Sequence, residues 1–250
     1  MLFQAHRGVS TEYPENTLPA FEASARQGYQ VIEFDPLFTA DGECVVFHDA
    51  TVNRTCRTRD GKEIFEEIRA TELTLEELRS YDAGLWMGEQ FRGVQVPLMA
   101  EILELAKKEN LQVKIDNRFA DFSQWQQEKL FDIVAASGVN AGFTCKNVEI
   151  TKKVVERFPD APIHYDGYID EKTVREIAAL LKNDVFFVWL ALPSELTSWV
   201  TVPTATPELC QMVKQYAKLG LWILDNQEHL EQAKALGADI IETTGAVKPQ

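Results

Sequence analysis

The chain has 250 residues, of which 45% are hydrophobic, enough for the core of one (β/α)₈ barrel or of two small domains. Its formal charge of −14 at pH 7 argues against a nucleic acid or an anionic membrane as a stable partner, because both favour a basic surface. An anionic substrate is not excluded, since a bound divalent metal can reverse the local field.

Short apolar runs, which are typical of buried parallel strands, alternate with amphipathic stretches. Several of these stretches end in Gly or Asn, as helices often do. The predicted strands are 2–6, 29–35, 111–116, 141–145, 162–166, 184–190, 220–225 and 238–243, and the clearest predicted helices are 16–28, 122–138, 171–183, 206–220 and 226–237. Eight strands with intervening helices predict a (β/α)₈ TIM barrel, with an open doubly wound sheet as the alternative.

One long connection interrupts this alternation. Residues 36 to about 97 separate the second strand from the third, and they contain a predicted β-ribbon at 43–49 and a short predicted helix at 74–84. We interpret them as an insertion above the barrel mouth, so that residues 1–250 form a single domain.

Three sequence features bear on the cellular location: the N-terminal residues, the longest apolar run and the spacing of the cysteines. The N-terminal residues MLFQAHRG do not have the pattern of a signal peptide, and the longest apolar run, 185–192, is too short to span a bilayer. The four cysteines are scattered without a CxxC pair, which favours reduced thiols. We therefore expect a cytoplasmic protein.

Polar side chains follow the predicted strands repeatedly, at the ends where TIM barrels carry their active sites. Glu33 and Asp35 are two residues apart in one strand, so their carboxylates lie on the same face. Two buried like charges need a cation between them. The residues alone do not identify that cation, and a basic side chain such as Arg7 or Lys114 is one candidate.

The N-terminal motifs resemble those of the glycerophosphodiester phosphodiesterase family. The matching pieces are His6-Arg7-Gly8, Pro14-Glu15-Asn16-Thr17, Glu33-x-Asp35, Thr39-x-Asp41-Gly42, His48-Asp49 and Arg54-Thr55. Residues 78–104 resemble the family's inserted segment, and residues 230–243 match more loosely. The resemblance implies a (β/α)₈ barrel that hydrolyses glycerophosphodiesters to glycerol 3-phosphate and an alcohol, with one divalent metal, Mg²⁺ or Ca²⁺. All-oxygen ligation suits such a hard cation.

The resemblance also implies roles for individual residues. His6 and His48 would be the general base and acid, because imidazole titrates near neutrality, and we expect His6 to act first as the base in forming a cyclic phosphate. Arg7 would bind the non-bridging phosphate oxygens. Glu15 would orient a histidine or the glycerol, and Trp222 would line the substrate site unless it is a core residue.

The third strand departs from the family pattern. The family usually reads Glu-Ile-Lys where this chain has Lys114-Ile115-Asp116. Both side chains still face the same way, about 6–7 Å apart along the strand. We expect Asp116 to complete the metal site with Glu33 and Asp35, and Lys114 to contact carboxylates or phosphate. The alternative is that Lys114 intrudes on the metal site and weakens binding.

Three functions therefore compete. The first is a metal-dependent glycerophosphodiesterase acting on a small-molecule substrate. The second is a phosphodiesterase for lysophospholipid or sphingolipid headgroups, and the third is a phosphodiester-binding barrel without turnover. The sequence does not indicate the preferred alcohol or the oligomeric state.

Overall fold

A computed structural model describes residues 1–182, 184–193 and 203–249 of the chain. These residues form ten β-strands and eight α-helices, with short 3₁₀ turns between some of them. The strands are β1 (Leu2–His6), β2 (Val31–Phe34), β3 (Pro36–Phe38), β4 (Cys44–Val46), β5 (Gln112–Ile115), β6 (Ala141–Cys145), β7 (Ile163–Tyr165), β8 (Phe186–Ala191), β9 (Lys218–Leu224) and β10 (Ile240–Thr243). The helices are α1 (Leu18–Arg26), α2 (Leu75–Leu78), α3 (Met99–Lys108), α4 (Gln124–Ser137), α5 (Val148–Arg157), α6 (Glu171–Ala178), α7 (Pro207–Val213) and α8 (Gln227–Leu236).

Eight of the strands close into a parallel barrel. Going round it, the order is β1, β10, β9, β8, β7, β6, β5 and β2, and each neighbouring pair is parallel, including the closing pairs β1–β10 and β1–β2. Closure confirms the predicted (β/α)₈ fold and excludes the open doubly wound sheet. All the carboxyl ends of the strands therefore lie at one mouth.

Apart from α2 in the insertion, the helices lie outside the barrel and bury apolar residues in a core cluster shared with the strands. The main core cluster runs from Phe21 in α1 through Phe34 in β2 to Leu230 in α8. Local sequence sets the helix ends: the side chains of Asn147 and Asp170 accept hydrogen bonds from the first-turn N–H groups of α5 and α6.

The interior of the barrel holds a separate and more polar layer. Its apolar part includes Val31, Trp189 and Ile240, whereas the charged residues Lys114 and Glu242 are also buried there. The predicted alternation in β2 follows from this arrangement: Val31 faces inward, while Ile32 and Phe34 belong to the core cluster between the strands and the helices.

The connection between β2 and β5 carries the insertion. β3 and β4 form an antiparallel ribbon, and a second apolar cluster that includes Val45, Leu78 and Val96 lies beneath it. The short helix α2 begins with a capping box formed by Thr74 and Glu77. The insertion thus has a small core of its own next to the barrel.

Three predicted helices are shorter than the sequence suggests. The short predicted helix at 74–84 is only α2, which ends at Leu78. The predicted helix at 206–220 is wrong in its last part: α7 ends at Val213, and Lys218 already pairs with Phe187 of β8. Pairing with β8 overrides the helical pattern of these residues. The predicted helix at 171–183 ends at Ala178, and its residue 183 lies outside the described part of the chain.

The four cysteines are free and buried. No helix in the described ranges has the length and apolar character needed to cross a membrane.

Candidate active site

The turn after β1 places the first histidine. The chain leaves β1 through Arg7 at φ 57° and Gly8 at φ 81°, a left-handed conformation that glycine adopts readily. A Cβ on Gly8 would lie only 2.6 Å from the Cβ of Ala20, so the turn packs tightly on α1. The side chain of His6 lies beside the neighbouring strand, with Nε2 3.9 Å from Oε2 of Glu33.

Three carboxylates converge at the mouth of the barrel. Glu33, Asp35 and Asp116 each offer an oxygen, and these oxygens lie within 4.8 Å of one another. Glu33 and Asp35 are only 3% exposed, and Asp116 is fixed next to them because its N–H donates to the carbonyl oxygen of Phe34 (3.1 Å). The donor set is entirely oxygen, which is the set that Mg²⁺ and Ca²⁺ prefer.

The electrostatics of these carboxylates explains why a cation fits there. Burial, together with the charge of Asp35, raises the pKa of Glu33 well above its usual value and also raises the pKa of Asp116. Asp35 is different. Burial acts to raise its pKa, but the charge of Arg7 outweighs this effect together with other contacts and holds the pKa below its usual value. The Nε of Arg7 lies 3.1 Å from Oδ2 of Asp35, and Asn16 donates to the same oxygen at 2.8 Å.

The alternative of a purely internal ion network accounts for only part of the site. Arg7 does pair with Asp35, but Lys114 pairs with Glu242. Among the described residues, no lysine or arginine side chain lies within 4 Å of the carboxylate of Glu33, whose one ion-pair neighbour is His6. The buried Glu33 carboxylate therefore still needs a cation, and the three residues fit a divalent metal.

The second histidine comes from the insertion. The β3–β4 ribbon is joined to the barrel where the N–H of Phe47 donates to the carbonyl oxygen of Asp35 (2.9 Å). His48 follows directly, and its Nδ1 lies 2.7 Å from Oδ1 of Asp49. Because the preceding residue, Phe47, bonds the backbone of Asp35, His48 lies on the Asp35 side of the carboxylates. His6 lies on the Glu33 side.

The order and the spacing of these residues match a known family. The model of the glycerophosphoryl diester phosphodiesterase family matches residues 6–241. The chain belongs to this family. The match runs from His6, the last residue of β1, to Ile241 in β10, so it includes both histidines and all three carboxylates.

Relatives of known name match a little under half of the chain. The glycerophosphodiester phosphodiesterase of Caldanaerobacter subterraneus subsp. tengcongensis is 39% identical over 112 residues, which cover 45% of this chain and 43% of that protein. The glycerophosphodiester phosphodiesterase of Bacillus altitudinis is 39% identical over 101 residues, or 40% and 38% of the two chains. The matched stretch thus spans less than half the length of either relative.

Solved structures of glycerophosphodiesterases share the fold. A glycerophosphoryl diester phosphodiesterase from Parabacteroides distasonis superposes with a TM-score of 0.75 at 19% identity, covering 97% of this chain and 82% of that one. An Oleispira antarctica phosphodiesterase, solved with the product sn-glycerol 3-phosphate, gives 0.76 at 18% identity and covers 98% and 94%.

In this member of the family, the charge of Lys114 is directed at the last strand of the barrel. Its Nζ donates to Oε2 of Glu242 at 3.0 Å and lies 4.1 Å from the ring centroid of Trp189. Gln4 also donates to Oε2 of Glu242. The partner Glu242 was not predicted; its position two residues after Ile240 indicates only that its side chain faces the barrel interior.

A second residue missed in the sequence is Arg118, which lies in the 3₁₀ turn after β5. Its Nη1 donates to the carbonyl oxygen of His48 (2.7 Å), and its guanidinium lies 3.8 Å from Asp35 and 3.6 Å from Asp116. It therefore connects the insertion to the carboxylates. Its position in an irregular turn gave no periodic signal.

The remaining predicted site residues lie around this centre. Glu15 accepts hydrogen bonds from Arg7 and Arg54, and within the described ranges no hydrogen bond joins it to His6 or His48. Trp222 is partly buried next to the interior layer of the barrel. Its indole Nε1 is buried and has no hydrogen-bond acceptor among the described residues.

Proposed function

We propose that this protein hydrolyses glycerophosphodiesters to glycerol 3-phosphate and an alcohol, using one divalent metal, Mg²⁺ or Ca²⁺. The observation that carries the proposal is the group of carboxylates Glu33, Asp35 and Asp116, the first two buried and the third partly buried, with a histidine on either side. The names of the relatives, and the product bound to the Oleispira antarctica phosphodiesterase, support the same substrate class. In this proposal the barrel and the insertion at 36–97 work as one catalytic domain.

The metal would be held by Glu33, Asp35 and Asp116. When bound, it would neutralise the negative charge of the phosphodiester, which otherwise repels a nucleophile. Arg7 assists from the side: its guanidinium is held by Asp35 and Glu15, and its N–H groups can donate to non-bridging oxygens.

The first proton transfer belongs to His6. Burial lowers the pKa of His6 to about 4, although the charge of Glu242 opposes this, so the ring is neutral at pH 7 and can accept a proton. It takes the proton of the glycerol 2-hydroxyl as that oxygen attacks phosphorus. A cyclic phosphate forms, and the bond to the leaving alcohol breaks.

The second proton transfer belongs to His48. It gives a proton to the oxygen of the leaving alcohol, because an alkoxide is a poor leaving group at neutral pH. Water then opens the cyclic phosphate with the roles reversed: His48 accepts a proton from water, and His6 returns its proton to the 2-hydroxyl. Both histidines end in their starting state.

Three further residues support binding of the substrate. Trp222 offers a buried indole N–H next to the barrel interior, which is a donor for a phosphate or glycerol oxygen. Lys114 supplies a permanent positive charge beneath the site, since Glu242 raises its pKa against the effect of burial. Glu15 holds Arg7 rather than the substrate.

The direct test is turnover of glycerophosphocholine and glycerophosphoethanolamine with Mg²⁺, with Ca²⁺ and with a chelator. Wild type is compared with His6→Ala and His48→Ala. We expect turnover that depends on metal and that falls about 10²–10⁴-fold in each variant, the usual contribution of a general acid or base. Isothermal titration with each metal ion on the same samples reports whether the carboxylates still bind metal.

The outcomes separate the competing functions. Turnover of lysophosphatidylcholine in place of both glycerophosphodiesters would favour a lipid headgroup phosphodiesterase. Metal and substrate binding without any turnover would favour the binding barrel. Full activity in the presence of chelator would refute the proposed metal.

A further inference from the structure

We propose that Arg54, in the insertion, is a positioning residue whose single guanidinium holds two carboxylates, each of which orients a different side chain of the site. The two carboxylates are Asp49 and Glu15, and the side chains they orient are His48 and Arg7. This inference rests on the proposed phosphodiesterase function, and it adds a residue that assembles the site without touching the substrate. We call the set of Arg54, Asp49 and Glu15 the Arg54 bridge.

The guanidinium makes a pair of hydrogen bonds to each carboxylate. Its Nε lies 2.6 Å from Oδ2 of Asp49 and its Nη2 lies 2.9 Å from Oδ1. On the other side, Nη1 lies 2.8 Å from Oε2 of Glu15, and Nη2 lies 2.8 Å from Oε1. Paired bonds of this kind fix the orientation of both planar groups.

The Asp49 side of the bridge fixes the ring of His48. Arg54 and His48 hold the pKa of Asp49 below its usual value despite partial burial, so its carboxylate is ionised and can only accept hydrogen bonds. Oδ1 of Asp49 lies 2.7 Å from Nδ1 of His48, and Nδ1 must therefore carry the proton. The other ring nitrogen, Nε2, is then the one that exchanges a proton with the substrate.

The Glu15 side of the bridge fixes Arg7. Oε1 of Glu15 accepts from Nη1 of Arg7 at 3.0 Å as well as from Arg54. The opposite edge of the Arg7 guanidinium, at Nε, meets Asp35. The guanidinium of Arg7, which is proposed to bind phosphate, is thus held between Glu15 of the Arg54 bridge and Asp35 of the metal site.

The bridge also joins two separate parts of the fold. Arg54 and Asp49 belong to the insertion, whereas Glu15 lies between β1 and α1 of the barrel. Within the described residues no strand pairing links these two segments, and the guanidinium joins the Asp49–His48 part of the insertion to the Glu15–Arg7 part of the barrel. The side chain of Arg54 is 48% exposed, and ion pairs at such exposure add little to stability. Loss of Arg54 should therefore appear in turnover and not in the melting temperature.

The kinetic test compares Arg54→Met and Arg54→Lys with a matched control, Arg92→Met. Arg92 also lies in the insertion, forms a paired ion pair with Glu89 and is 45% exposed. We expect kcat for glycerophosphocholine to fall about 100-fold in Arg54→Met, since small misplacements of catalytic groups cost this much. KM should change less than about threefold because Arg7 keeps its ion pair with Asp35.

Two comparisons sharpen this test. Arg54→Lys should restore little activity, because a lysine keeps the charge but cannot bond both carboxylates in pairs. Asp49→Asn and Glu15→Gln should show non-additive effects on kcat when Arg54 is present and additive effects in Arg54→Met. Full activity in Arg54→Lys, or additive effects in both backgrounds, would refute the bridge.

Nuclear magnetic resonance of the His48 ring tests the Arg54 bridge independently of turnover. With ¹⁵N-labelled histidine, and with His48→Gln to assign its signals, the neutral ring of His48 should carry its proton on Nδ1 in wild type and in Arg92→Met. In Arg54→Met it should become a mixture of both tautomers. An Nε2–H ring in wild type, or an unchanged ring in Arg54→Met, would overturn the inference. Absence of turnover in wild type would instead refute the proposed function, and the ring signals would still decide on the bridge.

Discussion

The buried pair of Lys114 and Glu242 gives the sharpest stability prediction. Their side chains are 10% and 3% exposed, and Nζ and Oε2 are 3.0 Å apart. Lys114 also lies over Trp189, and Gln4 bonds the same carboxylate. The perturbation is Lys114→Met, Glu242→Gln and the double variant, all in chelator so that metal binding does not contribute.

The expected size follows from the geometry. At 3.0 Å and an effective dielectric constant near 20, the attraction is about 5–6 kcal/mol, and desolvation of both groups offsets much of it. Removing one partner leaves an uncompensated buried charge, which costs about 3–5 kcal/mol. Lys114→Met should be the worse single variant, because the ammonium also offsets the charge of Glu33. The double variant should lose only about 1–2 kcal/mol, since it leaves no unpaired charge in the pair.

The assay is urea denaturation at pH 7, followed by both circular dichroism and tryptophan fluorescence, so that coincident transitions justify a single free energy of unfolding. The control is Lys234→Met. Its ion pair with Glu231 has a similar length, 2.8 Å, but side chains 44% and 60% exposed, and its loss should cost less than about 1 kcal/mol. If the losses of the two single variants simply add in the double variant, the reasoning is refuted.

Three further predictions concern other parts of the site. Burial and the charge of Asp116 raise the pKa of Asp166 to about 7. The resulting stabilisation is fully present below about pH 4 and is lost as the pH rises through 7. Chemical denaturation across this range should show the free energy of unfolding fall by on the order of 2–4 kcal/mol in wild type and not in Asp166→Asn. Gly220→Ala should destabilise by about 1–3 kcal/mol in thermal melts, because its Cβ would lie 2.6 Å from the ring of Trp189; an unchanged melting temperature would contradict the packing. Asp116→Asn should weaken Mg²⁺ or Ca²⁺ binding more than about 100-fold by calorimetry, since mutating even the residues that hydrogen-bond metal ligands lowers metal affinity about 10–100-fold. The exposed control Asp60→Asn should bind metal as wild type does.

The strands were predictable because a closed parallel barrel buries both faces of each strand. The run VIEF in β2 is buried at all four positions, and such continuous apolar runs bounded by polar residues identify barrel strands. The alternation along β2 also predicted that Glu33 and Asp35 share a side. The inward cluster of these two carboxylates with Asp116 follows from alternation and from the common direction of the strands.

The residues that sequence reasoning missed are held by contacts between distant segments. Lys114 and Glu242 meet only because β10 closes the barrel against β1, and nothing near either residue in the sequence indicates its partner. Arg118 lies in a short 3₁₀ turn, where no hydrophobic periodicity in the sequence indicates which way its side chain points. The predicted helix at 206–220 failed for a similar reason, since pairing of Lys218 with β8 is a tertiary effect.

The insertion has a consequence for how such proteins diverge. It makes the connection between β2 and β5, residues 35–111, about three times as long as the one between β5 and β6, residues 116–140, and a threefold longer loop adds only about 1 kcal/mol of closure entropy. Its own apolar cluster around Val45 and Leu78 can offset that cost locally. Evolution can therefore rebuild this segment, and with it the surroundings of His48, while the barrel that supplies His6 and the carboxylates keeps its fold.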